Sequence, residues 1–225
     1  MKLTNVEKKL GRFSLNIDSL ALSMPGIYGL IGPNGSGKST LAKLMTGLLE
    51  ADNGIIDCEG LGARDITYLG RKPYMTDDTV YNNLVYPLKL RNIKPDLNLI
   101  TAFLDRMKFS LFLKQKAGSL SGGEQQKLAL LRAVIFSPRF VIMDEAMTAI
   151  DIDSLHLFEQ LILEEQKKNN SIWIIISHQM PHIRRICDYL FFMYNGRIEA
   201  EGSDGDLFFN VRNSHIKQYL RSYYK

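Results

Sequence analysis

Cysteine is almost absent from this chain: two residues in 225, Cys58 and Cys187, far apart and in neither a CxxC pair nor a Cys/His metal pattern. That excludes a disulfide framework and a thiolate metal cluster, and it places two free thiols in a reducing compartment. Long apolar runs are absent as well. The longest, at 172–176 and 189–194, are strand-sized and far short of the ~18 residues a membrane helix needs, so the chain is expected to span nothing. The start, Met1-Lys2-Leu3-Thr4-Asn5, lacks an apolar core followed by a small-residue cleavage site, which argues against a secretory signal and for a cytoplasmic protein. Charge of one sign is not in excess. With 28 Lys and Arg against 24 Asp and Glu, the formal charge is +4 and evenly spread, so no nucleic-acid partner is expected. Internal repeats and low-complexity segments are also missing.

What is present is ordinary globular composition, 45% hydrophobic and 23% charged, in a length that suits one large domain folded throughout. Apolar, β-rich runs at Gly26–Ile31, Ile66–Leu69, 140–143, 171–176 and Tyr189–Tyr194 alternate with helical patterns. This alternation predicts an α/β fold around a largely parallel sheet. The first run ends in a glycine-rich turn, and apolar Leu41, Leu44, Met45 and Leu48 predict a helix over 38–49. Between 79 and 118 the pattern becomes Leu-rich and helical, interrupted by Pro87 and Pro95, which predicts an inserted helical subdomain. Asn195-Gly196 followed by Arg197-Ile198-Glu199-Ala200-Glu201 predicts a hairpin return, with a last helix from about Asp206.

Gly32-Pro33-Asn34-Gly35-Ser36-Gly37-Lys38-Ser39-Thr40 matches the phosphate-loop pattern GxxxxGK[ST] in the strand-loop-helix context that the pattern needs. The glycines let successive amides turn onto phosphate oxygens at a helix N-terminus. Lys38 would reach the β- and γ-phosphates of ATP, and Ser39 would ligate Mg²⁺. A glycine turn that merely capped a helix would not require lysine and serine there. The run 140–143 leads into Asp144 and Glu145, at the strand end where ligands of open α/β sheets collect. Asp144 is expected to hold the metal through water and Glu145 to act as general base on the attacking water. Acidic residues ending a strand are more often helix caps, a reading that the upstream loop demotes. Ser121-Gly122-Gly123 opens another helix, a second anion-binding N-terminus.

Leu120-Ser121-Gly122-Gly123-Glu124 resembles the LSGGQ signature of ABC transporter ATP-binding subunits, with glutamate for the usual glutamine. With the motifs above in the family's order, the chain is identified as a member of that family over nearly its whole length. Ala149-Ile150-Asp151 resembles the D-loop, and Ser177-His178 the switch histidine. The resemblance implies an N-terminal antiparallel β subdomain and one domain over 1–225, with 1–75 and 129–225 as the core and 76–128 as the helical insertion. It also implies a head-to-tail dimer with a second copy or a relative, in which Ser121, Gly122 and Gly123 touch nucleotide held by the other subunit and His178 sits near the γ-phosphate. The implied partners are a membrane permease and a solute-binding protein, with this subunit peripheral on the inner face of the membrane.

The chain departs from the family at three places. Leu10 stands at the commonest position of the adenine-stacking aromatic, leaving Phe13 as the substitute or as an ordinary core residue. Ala146-Met147-Thr148 replaces the usual run after the glutamate. Arg71 stands where the family places a metal-touching glutamine, and no register shift rescues it, because the first glutamine of the chain is Gln115. An arginine cannot ligate a cation, so Arg71 is expected either to face phosphate or to swing outward to an acidic residue.

One uninterrupted cassette argues against translation-type and DNA-repair members of the family, and intact Asp144, Glu145 and His178 argue against a non-hydrolysing, nucleotide-gated module. Residues 80–91 resemble importer ATPases, including those for oxyanions such as tungstate; a compact exporter ATPase is the alternative. Tyr74, Met75, Tyr81 and Leu84 are expected to line the groove for the permease's coupling helix, although Leu84 reads equally well as core. The basic, tyrosine-rich stretch 212–225 reads as a solvated terminal helix ahead of a membrane-facing one.

Overall fold

The computed structural model describes residues 1–148, 150–203, 207 and 213–221. Two sheets stack on one another. The larger has the order β5-β6-β7-β3-β8-β9, formed by β3 (Gly26–Ile31), β5 (Ile66–Leu69), β6 (Phe140–Asp144), β7 (Ile172–Ile176), β8 (Tyr189–Tyr194) and β9 (Arg197–Gly202). Its first five strands are parallel and β9 is antiparallel. The smaller, antiparallel sheet has the order β2-β1-β4, from β1 (Lys2–Leu10), β2 (Phe13–Ala21) and β4 (Asn53–Asp57). The helices are α1 (Lys38–Met45), α2 (Val80–Leu90), α3 (Leu97–Arg106), α4 (Gly122–Val134), α5 (Ile152–Asn169), α6 (Met180–Ile186) and α7 (Ser214–Arg221).

Every residue of β6 is buried, as expected of a parallel strand covered on both faces. Its alternation sorts the core in two. Phe140 and Ile142 face the small sheet and α1 with Leu15, Ile17 and Leu41, whereas Val141 and Met143 face the helices with Trp173, Phe158 and Leu128. The central strands are therefore gripped from both sides, and their carboxyl ends are fixed points from which loops project. Among the described residues no helix is long and apolar enough to cross a membrane.

The differences from the sequence expectations are local. The first helix stops at Met45 rather than 49, because Gly47 takes a left-handed φ of 71° and Leu48 is left in solvent. Pro87 lies inside α2 instead of ending it. Losing a helical hydrogen bond to proline costs about 3 kcal/mol, whereas burying Val80, Leu84, Val85 and Leu88 returns about 1.5–3 kcal/mol each. Asn195 and Gly196 both take positive φ, which is the hairpin turn that joins β8 to β9. The last helix expected from Asp206 appears as α7; Asp206, 208–212 and 222–225 lie outside the described residues.

Candidate active site

The carboxyl end of β3 runs into loop 32–37 and then α1. A Cβ added at Gly32 would lie 2.1 Å from the carbonyl oxygen of Met193, and one at Gly37 would lie 2.8 Å from the Phe13 ring; φ values of 142° and 106° add strain for any other residue. Only glycine lets the loop pass between β8 and Phe13. The hairpin turn reinforces it, with Gly196 N–H donating to the Ser36 carbonyl.

Lys38 is buried and folds its ammonium back on the loop, donating to Gly32 O at 2.8 Å, Pro33 O at 2.9 Å and Ser36 Oγ at 3.4 Å. These partners occupy all three of its donors. Burial lowers its pKa, while Glu145 and then Asp144 oppose the shift. A phosphate arriving here would exchange loop carbonyls for charged oxygens. Phe13, Asn34, Gly35, Gly37, Lys38, Ser39, Thr40 and Glu145 enclose the adjoining cleft of about 320 Å³.

At the end of β6, buried Asp144 accepts a hydrogen bond at 2.9 Å from the hydroxyl of Tyr68, on the neighbouring strand β5. Burial, reinforced by this carboxylate, pushes the Tyr68 phenol far above its ordinary value and keeps it a donor. Glu145 follows with a left-handed φ of 52°, a conformation that costs a non-glycine residue about 1–2 kcal/mol. Its N–H bond to Ile176 O and the Thr148 hydroxyl on its carbonyl hold that turn. The turn aims the carboxylate at an imidazole and a guanidinium from different loops. His178 Nε2 lies 2.8 Å from Oε1, and Arg71 Nη1 lies 3.5 Å from Oε2. Arg71 thus faces an acidic residue, but one inside the site rather than outward. Ser39 and Asp144 offer an all-oxygen donor set, which suits Mg²⁺.

Ser121, Gly122 and Gly123 are not part of this cleft. They open α4, where the Ser121 hydroxyl caps Glu124 N–H at 3.3 Å and the Glu124 carboxylate returns to Ser121 N–H at 2.8 Å. Glutamate closes this box as a glutamine would, so the substitution leaves the cap intact, and the Ser121 hydroxyl and amide hold the Glu124 carboxyl below the usual range. A Cβ on Gly122 would meet nothing within 4 Å, so the face is bare. Ile150 and Asp151 of the D-loop segment are described and Ala149 is not. Asp151 caps α5 and pairs with Lys127 of α4 at 2.7 Å. Neither Tyr68 nor Lys127 was singled out from the sequence, because each acts across a tertiary contact; a hydroxyl ending the strand beside the acidic one was the available clue to Tyr68.

The groove residues divide. Leu84 is fully buried in the core, and Met75 and Tyr81 pack against it, while Tyr74 is 76% exposed. The open groove is lined instead by Tyr74, Tyr86, Leu90, Arg91, Arg132 and Phe136, among others. The Arg91 guanidinium lies 3.5 Å above the centre of the Phe136 ring.

Residues 15–148 match the family model described as ABC transporter. The chain is 33% identical, over 89% of its length and 97% of the relative's, to the tungstate uptake system ATP-binding protein TupC of Peptoclostridium acidaminophilum. It is 31% identical, over 86% of its length and 84% of the relative's, to the phosphate import ATP-binding protein PstB of Saccharolobus solfataricus. Among solved structures, an ATP-binding subunit of an ABC transporter superposes with a TM-score of 0.86 at 21% identity, covering 100% of this chain and 99% of that one. A dimeric ATP-binding cassette bound to ADP and Pi superposes with a TM-score of 0.77 at 23% identity, covering 90% and 97%; both share the fold. This chain belongs to the ABC transporter family, as an ATP-binding subunit with ATPase activity.

Proposed function

We propose that this subunit drives import of a small oxyanion through a separate membrane permease, working peripherally on the inner membrane face as half of a head-to-tail dimer. The observation that carries the catalytic part is the convergence of Glu145, His178 and Lys38 at one cleft mouth, from β6, the loop after β7, and the glycine loop. The ATP phosphates lie on the amides of 32–40 and draw Lys38 off its carbonyls, and Phe13 offers its ring to adenine. Ser39 and Asp144 hold Mg²⁺, which supplies charge neutralisation and Lewis acidity at the phosphates. Glu145 takes the proton of the attacking water, and His178 orients that carboxylate and the γ-phosphate. Ser121, Gly122 and Gly123 complete the partner subunit's site, which the bare face at Gly122 supports. Residues 76–128 form the helical subdomain that moves against the core formed by 1–75 and 129–225, and the groove beside Tyr74 receives the permease.

Support for the solute class comes from two relatives above 30% identity, named for tungstate and for phosphate, two tetrahedral oxyanions. Reconstitution with permease and solute-binding protein tests it: tungstate or phosphate should raise ATP hydrolysis and accumulate inside. Stimulation by neither anion, or outward movement, overturns the reading.

A further inference from the structure

The strands that end at the glycine loop begin at the opposite edge of the sheet, and that edge has its own cleft. In the β3/β8 register Tyr28 lies opposite Tyr189, and Phe191 projects from the same face two residues on. The rings pack as one cluster: Tyr28 and Phe191 stack at 5.9 Å, and Tyr189 meets their edges at 6.2 and 5.4 Å. Glu201 of β9, paired with Phe191, extends this face. Asp188, just before β8, is fixed by Ile27 N–H at 2.8 Å. The end of β2 and residues 23–26 form the other wall, enclosing about 570 Å³, against about 320 Å³ beside the glycine loop.

The chemistry of this lining is one-sided. Among the described residues that line it, Asp188 and Glu201 are the charged side chains, with no Lys, Arg or His beside them. Aromatic faces attract cations through their quadrupole, and two carboxylates add full negative charge while repelling nucleotides and oxyanions. The Tyr28 hydroxyl, donating to Met24 O at 2.8 Å, has its pKa raised by burial and by Asp188, so the ring stays neutral. A concave volume of this size is that of a small-molecule site rather than a flat docking face.

We propose that this cleft binds a small organic cation, an ammonium or quaternary ammonium on an apolar body, at the edge of the sheet opposite the nucleotide. The cation lies over Tyr28 and Tyr189 with Asp188 and Glu201 as counter-charges. This cleft and the glycine loop lie at the two ends of the same strand, β3.

Choline and its uncharged isostere 3,3-dimethylbutan-1-ol are the probes, titrated onto the full chain by ligand-observed NMR. Choline should bind about tenfold or more tightly than the alcohol, a difference of roughly 1.4 kcal/mol. Asp188→Asn with Glu201→Gln should remove that preference, and Tyr189→Leu should weaken choline while sparing the alcohol. Binding of an ATP analogue reports that each variant is folded. If the Asp188 variant fails that check, Glu201→Gln alone decides, since Glu201 is exposed: weakening of about threefold or more supports the site and unchanged choline affinity overturns it. Equal binding of choline and alcohol, or no choline binding, also overturns the proposal.

Discussion

The two edges of the main sheet are built from the same strands and have opposite chemistry. At the carboxyl ends of β3, β6 and β7, glycine-turned amides, Lys38 and His178 surround a cleft whose carboxylates are each engaged by another side chain. At the amino ends of β3 and β8, aromatic rings and two acids surround a cleft with no basic side chain among its described lining residues. Parallel strands bring the loops that follow them to one edge, where inward-facing amides favour anions. The other edge receives the starts of the parallel strands together with the ends of β2 and of antiparallel β9, and keeps side chains as its chemistry. If the first edge alone performs hydrolysis, substitutions there must act on turnover in proportion to how directly each touches phosphate, metal or water.

The largest effect is expected from Glu145→Gln. The amide keeps the size of the side chain but cannot take a proton, so phosphate release should fall by about a hundredfold or more. ATP affinity should hold and ATP-bound dimers accumulate on size exclusion. Lys38→Ala should instead weaken nucleotide binding itself, and equilibrium binding separates the two. Turnover like that of the wild-type protein in the Glu145 variant would break the comparison at its strongest point.

Next is His178→Ala, which removes the partner 2.8 Å from Glu145 and leaves the base in place. A fall of about ten- to a hundredfold in kcat with little change in ATP affinity is expected. A change confined to KM would assign His178 to binding alone.

Arg71→Gln should be milder. The guanidinium is 73% exposed and 3.5 Å from Glu145, a loose, screened ion pair. Hydrolysis by the isolated subunit should stay within about tenfold, a barrier change of roughly 1.4 kcal/mol. The larger change should appear in stimulation by the permease, because the segment after Arg71 leads to Tyr74 and α2. A hundredfold fall in the isolated subunit would make Arg71 a catalytic residue.

How much of this was legible in the sequence follows from where the geometry comes from. Residues 32–40 and 144–145 are consecutive, so one strand and its turn fix them, and their order alone announces a phosphate loop and an acidic strand end. The Tyr68 contact depends on β5 lying beside β6, and the cluster of Tyr28 with Tyr189 and Phe191 depends on β3 lying beside β8. Strand order is a property of the folded sheet, and neither pairing leaves a periodicity to read. Leu48 and Pro87 misled in opposite directions: an apolar residue beyond a helix end looked helical, and a proline inside a helix looked like its stop. In the first case a left-handed glycine outweighed the pattern, and in the second buried side chains did. Glu124 closes a capping box that a glutamine closes equally well, so here the sequence variation leaves the local structure unchanged.

The smallest effect is expected where the candidate site meets its frame, at the pair between Lys127 of α4 and Asp151 at the start of α5. The Lys127 ammonium, followed by the Ser154 amide and hydroxyl, holds the Asp151 carboxyl well below its usual range. A depressed folded-state pKa contributes stability above the unfolded value, near 3.9, and that contribution is lost as the pH falls through the folded one. Asp151 is 57% exposed, however, so solvent screens the pair and its contribution is about 0.2–1 kcal/mol. For a domain of this size that is about 0.5–4 °C in Tm. Lys127→Met should therefore lower Tm by that amount at neutral pH in nucleotide-free protein, and the deficit should shrink in acid as Asp151 protonates. Asp151→Ala should cost more, because it also removes the cap on Ser154 N–H, about 0.5–2 kcal/mol. Thermal melts of both variants between neutral and strongly acidic pH check this. A Lys127→Met deficit that persists unchanged in acid would show that the lysine stabilises the helix junction by packing rather than by its charge.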